Sequence, residues 1–348
     1  MAEIWQAVLK RETIGVHDHF FDLGGHSLLA AQVVARVQNL LGTSAPAVLL
    51  FHCPCLADFA AALAALPASA PRTPLVCLKP GTRTPTFFCI HPITGQVLAY
   101  LALASLLDPE EPFFALEHPG LQSLEGFPTS IEQLASLYLG EIRALQPEGP
   151  YLLGGWSLGG LLAFETARQL RAAELHVALL ALFDAASPAD DQLEPYLATQ
   201  PLPELAAFLR TYRVPEPGLA ECLGLVGGTD PCPALPALHD LLQRRGWLLQ
   251  GVPLEQFIRL HGIYSGLAAA ARCYRPARDY DSPITYFRRS ENLGPRSLAS
   301  TGWEGLTSGP LTLHVVPGDH LSMFRPPHLS SLAARLQVCL SEARQGLH

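Results

Sequence analysis

No stretch of this sequence is apolar for long enough to cross a bilayer. Runs such as Val177–Phe183 are strand length, so a membrane partner is not expected. No cluster of Lys or Arg marks a nucleic-acid surface, and a formal net charge of −8 argues against a polyanionic partner. No His or Cys pair at zinc-like spacing accompanies Cys53-Pro-Cys55, the one close pair among eight scattered cysteines, so no metal is expected. No secretory leader precedes the first helical pattern, which predicts a cytoplasmic protein with reduced thiols. Charged residues are scarce at 16%, whereas hydrophobic residues reach 49%. That balance excludes a disordered chain and describes a packed one. At 348 residues it is large for a single core, and two domains of unequal size are expected.

Residues 1–66 read as a small all-α bundle of four helices. Ile4, Trp5, Val8 and Leu9 recur at helical spacing, and the chain opens abruptly inside this pattern, as a piece of a longer chain would. Leu28, Leu29, Val33, Val34, Val37, Leu40 and Leu41 mark a longer helix that begins near Ser27 and ends at Gly42. A short turn follows Pro46, and Leu56, Phe59, Ala60, Leu63 and Leu66 mark the last helix. Residues 67–85 read as a linker, its first half the proline-rich run Pro67-Ala-Ser-Ala-Pro-Arg-Thr-Pro74. From 86 to 348, short apolar strands alternate with helices. The strands are expected at Thr86–Ile90, Phe113–Leu116, Tyr151–Gly155, Val177–Phe183, Pro283–Arg288 and Leu311–Val316. The alternation predicts a mostly parallel sheet with helices on both faces. Between about 187 and 275 the pattern is helical and broken by Pro and Gly, which suggests a lid inserted over the sheet.

Gly155-Trp156-Ser157-Leu158-Gly159 joins an apolar strand to a helix, the setting in which a G-x-S-x-G motif presents a nucleophilic hydroxyl. In the α/β-hydrolase order an acid and then a histidine should follow. Asp184 ends the next strand and is the expected acid, with Asp319 the rival. Asp319 is poorly placed to hold its own neighbour. His320 follows the last strand and is the expected base; His314 and His328 lie inside a strand and a helix and are expected to be structural. The oxyanion hole needs backbone N–H groups, expected from Leu158 and from Ile93 in the loop Ile90-His91-Pro92-Ile93-Thr94-Gly95. His91 is expected to brace that loop.

A second serine sits in a different setting. Ser27 closes Asp18-His-Phe-Phe-Asp-Leu-Gly-Gly-His-Ser27 and is followed by Leu28-Leu29-Ala30. A hydroxyl there can simply cap the helix. The glycine pair Gly24-Gly25 points instead to an exposed, modified serine, with a phosphodiester at the positive end of the helix dipole.

The Ser27 run resembles the phosphopantetheine attachment motif of peptidyl carrier proteins in nonribosomal peptide synthetases. Gln146-Pro-Glu-Gly-Pro-Tyr-Leu-Leu-Gly-Gly-Trp-Ser157-Leu-Gly-Gly resembles the type I thioesterase that ends such assembly lines. Phe88-Cys-Ile-His91-Pro92-Ile-Thr-Gly95 and Val315-Val-Pro-Gly-Asp-His320 are similar to that family's first-strand and histidine loops. Ile93-Thr94 departs from the small residues usual there, and Phe51-His-Cys-Pro-Cys-Leu56 departs from the carrier pattern. The resemblance implies a carrier bundle followed by an α/β-hydrolase domain, with covalent 4'-phosphopantetheine on Ser27. It implies a phosphopantetheinyl transferase, upstream condensation and adenylation domains and a peptidyl or acyl thioester as partners. The chain would then pass to Ser157 and leave by hydrolysis or macrocyclisation. The competing expectations are a free-standing esterase or lipase with a regulatory helical domain, and an inactive docking module.

Overall fold

The computed structural model describes the chain apart from residues 26, 42–47, 66–72, 122–127, 189–200, 213, 227–230, 249–251, 294–299, 347 and 348. It divides into two compact units, 1–72 with 209–258, and 73–208 with 259–348.

In the first unit, α1 (Ala2–Leu9), α2 (Ser27–Leu41), α3 (Leu49–His52) and α4 (Leu56–Ala65) give the four expected helices. Their apolar stripes meet in one core, with Trp5, Phe20, Val33, Val37, Leu50 and Phe59 fully buried. Trp5 meets Phe20 edge-on at 4.9 Å, a geometry that suits the ring quadrupoles.

A seven-stranded sheet organises the second unit. Its strands are β1 (Leu75–Lys79), β2 (Phe87–Ile90), β3 (Phe113–Leu116), β4 (Tyr151–Trp156), β5 (Val177–Phe183), β6 (Ile284–Arg289) and β7 (Leu311–Val316), in the order β1-β3-β2-β4-β5-β6-β7. Every pairing is parallel except β1 with β3. Central strands are buried on both faces, which is why Phe87–Ile90, Tyr151–Trp156 and most of Val177–Phe183 are continuously apolar. The crossover helices are α5 (Leu101–Leu106), α6 (Ile131–Leu145) and α7 (Leu158–Ala172). The chain leaves β2 toward β3 on one side and returns to β4 on the other. That reversal is a topological switch point at the carboxyl ends of β2 and β4, where open α/β sheets commonly place their ligands.

One strand corrects the sequence reading. Leu75–Lys79 falls in the span expected to be linker, yet it forms β1, with Val76 and Leu78 buried and their neighbours half-buried. A period-two strand five residues long, fenced by Pro74 and Pro80, reads as linker until β3 offers an edge. The proline-rich part of the linker lies mostly outside the described residues.

The expected lid span is helical where it is described: α8 (Pro201–Thr211), α9 (Glu216–Gly224), α10 (Leu235–Arg244) and α11 (Leu254–Cys273). Residues 209–258 group with the first unit rather than with the sheet. After β7, α12 (Leu329–Gln345) closes the chain. No helix among the described residues is long and apolar enough to cross a membrane.

Candidate active site

Ser157 is the single residue between β4 and α7, held at φ 58° and ψ −124°. A non-glycine residue at positive φ is strained, and the surrounding structure must impose it. Two hydrogen bonds do so: Ser157 N–H donates to Phe183 O at 3.0 Å, and Ser157 O accepts Gly160 N–H at 3.0 Å. Glycines make the turn possible. A Cβ on Gly155 would strike the backbone of Gly159, and a Cβ on Gly159 would strike the carbonyls of Ile90 and His91. The first turn of α7 therefore lies directly against the end of β2. Tyr100, fully buried, ties the two strand ends together; its hydroxyl donates to Ile90 O at 2.7 Å and accepts Trp156 N–H at 3.0 Å.

Asp184 directly follows β5, is 6% exposed and sits at φ 44°. Its N–H donates to Phe287 O at 2.8 Å, which fixes its backbone to β6. The loop after β7 brings His320 to it: His320 Nδ1 lies 2.6 Å from Asp184 Oδ2. Arg289 Nη1 reaches the same oxygen at 2.6 Å. Burial acts to raise the Asp184 carboxyl, but the hydrogen bond and charge of His320 and the Arg289 guanidinium outweigh it. The carboxyl is held below its ordinary range.

The rival acid faces elsewhere. Asp319 Oδ1 accepts the N–H groups of Leu321 and Ser322 at 3.0 and 2.8 Å, which shapes the loop. His314 stacks on Phe287 at 5.1 Å and meets Cys339 Sγ; His328 lies not inside α12 but at the position just before it, with no side-chain cap bond. The His320 ring rests against Trp156 at 5.3 Å, and Trp156 rests on Phe324 at 4.6 Å. Ser157, Asp184 and His320 thus come from the ends of β4, β5 and β7 to one edge of the sheet. Asp184 and His320 touch directly. Ser157 is bonded through its N–H to Phe183, the residue before Asp184, and follows Trp156, whose ring lies against His320.

Leu158 opens α7, so its N–H belongs to the first turn, where helical N–H groups lack intrahelical acceptors. Ile93 lies in the loop after β2, half-buried against the core. His91 beside it is fully buried; Nδ1 meets Pro92 O at 2.8 Å and Nε2 meets the Tyr138 hydroxyl at 2.7 Å. Burial and the adjacent His118 push His91 down to about 3, so it stays neutral and braces the loop. Sequence reasoning passed over Tyr100, His118 and Arg289. An Arg ending the strand beside the acid-bearing one was the only available signal, and it is a weak one.

In the helical bundle, Ser27 is the first residue of α2; its side chain lies outside the described residues. Gly24 takes φ 95°, and a Cβ on Gly25 would strike the Phe20 ring, so both glycines serve the turn that delivers Ser27 to the helix start. A serine at the N-terminus of a 15-residue helix suits a phosphodiester, because the dipole there is positive. Among the described residues no group of three or more His, Cys, Asp or Glu could hold a metal ion.

Sheet, elbow and strand-end residues together define an α/β-hydrolase. Residues 85–337 match the family model described as the thioesterase domain, and residues 1–63 match that of the phosphopantetheine attachment site. The chain belongs to the thioesterase family and carries a phosphopantetheine carrier domain ahead of it. It is 30% identical over 334 residues to malpibaldin synthetase of Mortierella alpina, covering 95% of this chain and 5% of that protein. With the dimodular nonribosomal peptide synthase of Bacillus subtilis it shares 27% identity, covering 98% of this chain and 14% of that one. A solved four-domain nonribosomal peptide synthetase bound to AMP and glycine superimposes with a TM-score of 0.66 at 26% identity, over 97% of this chain and 25% of that one. The chain therefore spans a small fraction of the relatives it matches.

Proposed function

We propose that this chain is the terminal carrier and release segment of a nonribosomal peptide synthetase, with Ser157, His320 and Asp184 as its catalytic residues. The observation that carries the reading is the 2.6 Å contact between His320 Nδ1 and Asp184 Oδ2 at the sheet edge where the strained Ser157 emerges. An ionised Asp184 accepts a hydrogen bond from Nδ1–H and so selects the tautomer whose unprotonated Nε2 can take a proton from serine.

Phosphopantetheine on Ser27 supplies the thiol that presents an acyl chain as a thioester. Ser157 Oγ attacks the acyl carbonyl carbon while His320 Nε2 takes the hydroxyl proton. The N–H groups of Leu158 and Ile93 hold the oxyanion. Collapse breaks the carbon–sulfur bond, and His320 returns its proton to the departing thiolate. The ester on Ser157 is then opened by water, giving an acid, or by an amine or hydroxyl of the acyl chain itself, giving a ring. In either case His320 takes the proton of the attacking water, amine or hydroxyl and returns it to Ser157 Oγ as the ester C–O bond breaks. A phosphopantetheinyl transferase, upstream condensation and adenylation domains and a cytoplasmic setting complete the reading.

A fluorophosphonate probe tests the site. Labelling of the full chain should map to Ser157, vanish in Ser157→Ala and slow by about a thousandfold or more in Asp184→Asn, where the imidazole loses its tautomer. Full-rate labelling in Asp184→Asn would move the acid elsewhere.

A further inference from the structure

Arg289 ends β6, the strand between the one that leads to Asp184 and the one that leads to His320. Its guanidinium reaches one carboxylate and two backbone carbonyls among the described residues. Nη1 donates to Asp184 Oδ2 at 2.6 Å, Nε to Glu291 O at 3.1 Å and Nη2 to Asn292 O at 3.2 Å. Asn292 sits at φ 54°, turning the chain back so that its carbonyl and that of Glu291 meet the guanidinium. The same turn is bonded to the histidine loop: Ser290 and Glu291 N–H both donate to Gly318 O, at 3.1 and 3.0 Å. The arginine is thus anchored by backbone carbonyls while it holds the carboxylate of the expected acid.

The pair is enclosed, with the Arg289 side chain 12% exposed and the Asp184 side chain 3% exposed. Hydrophobic residues would serve such a position at least as well if only packing were needed, because desolvating an ion pair is costly. A buried carboxylate facing a neutral imidazole alone is driven to hold a proton or to turn toward water. Either change would release the Nδ1 proton of His320 from its acceptor.

We propose that Arg289 is a positioning residue of the acyl-transfer site, locking the Asp184 carboxylate as an ion in the orientation that accepts His320 Nδ1–H. This rests on the Ser157–His320–Asp184 reading. Arg289 is proposed to act through Asp184, a side chain its guanidinium contacts.

The test uses the full chain, p-nitrophenyl butyrate and the fluorophosphonate probe, with Arg289→Met, Arg289→Lys, Asp184→Asn and the two double variants with Asp184→Asn. Arg289→Met should lower kcat by about 10- to 100-fold, the cost of a misplaced catalytic group, with KM held within about twofold. Arg289→Lys, which keeps the charge but not the fork, should recover part of that loss. In the Asp184→Asn background neither Arg289 substitution should lower kcat further, since the residue it acts through is gone. Equal losses in both backgrounds, or turnover in Arg289→Met as fast as the parent's, would overturn the inference. Should Arg289→Met not fold, the Arg289→Lys pair decides: its loss must appear in the parent and vanish beside Asp184→Asn. If instead Ser157→Ala keeps its hydrolysis and labelling, the underlying site reading fails, and that outcome is distinct from the others.

Discussion

His91, in the loop that follows β2, and His118, just after β3, are enclosed imidazoles, 0% and 2% exposed. Burial depresses both, with His91 near 3 and His118 near 4 against an ordinary value of 6.5. The unfolded chain therefore takes up protons below pH 6.5 that the folded one refuses. Stability is complete above that pH and falls as pH drops toward 4, by up to about 1.4 kcal/mol per pH unit for each ring. Denaturant unfolding followed between pH 7 and 4 checks this, and His118→Asn should flatten the slope. A profile equally steep in His118→Asn would contradict the assignment. Neither residue was legible as a buried pair from the sequence, because their partners lie on β3, α6 and the loop between β2 and α5. Arg289 escaped for the same reason: 105 residues separate it from Asp184. Ser157, Asp184 and His320 were nameable because each follows a strand in the chain order that α/β-hydrolase chemistry uses.

The turn between β4 and α7 is where backbone fit is tightest. Gly159 lies so close to the carbonyls of Ile90 and His91 that a methyl group has no room, and neither carbonyl can swing away without disturbing β2. Gly159→Ala should lower stability by about 1–3 kcal/mol, the usual cost of overpacking. It should also reduce kcat, since the displaced loop carries the expected Ile93 donor. Thermal unfolding and ester hydrolysis measured on the same preparation check both; an unchanged midpoint and rate would contradict the close approach. Element existence was largely readable here, because buried parallel strands are continuously apolar and amphipathic helices are periodic. β1 was not. Its alternation over Leu75–Lys79 is too short to outweigh flanking prolines, and its pairing with β3 is a tertiary fact.

At the scale of the chain, a carrier domain precedes a thioesterase domain. The motif around Ser27 and the elbow around Ser157 made that order readable from the sequence. The grouping of residues 209–258 with the first unit was not readable, since helical periodicity says nothing about which core a helix joins. The central proposal is that one acyl group passes from the arm on Ser27 to Ser157. It is tested by loading the chain with an acyl-coenzyme A and a phosphopantetheinyl transferase, then following the acyl mass on peptides over time. The acyl mass should appear first on the Ser27 peptide and then on the Ser157 peptide, and Ser27→Ala should show neither. An acyl group that stays on Ser27 while a fluorophosphonate still labels Ser157 would contradict the transfer.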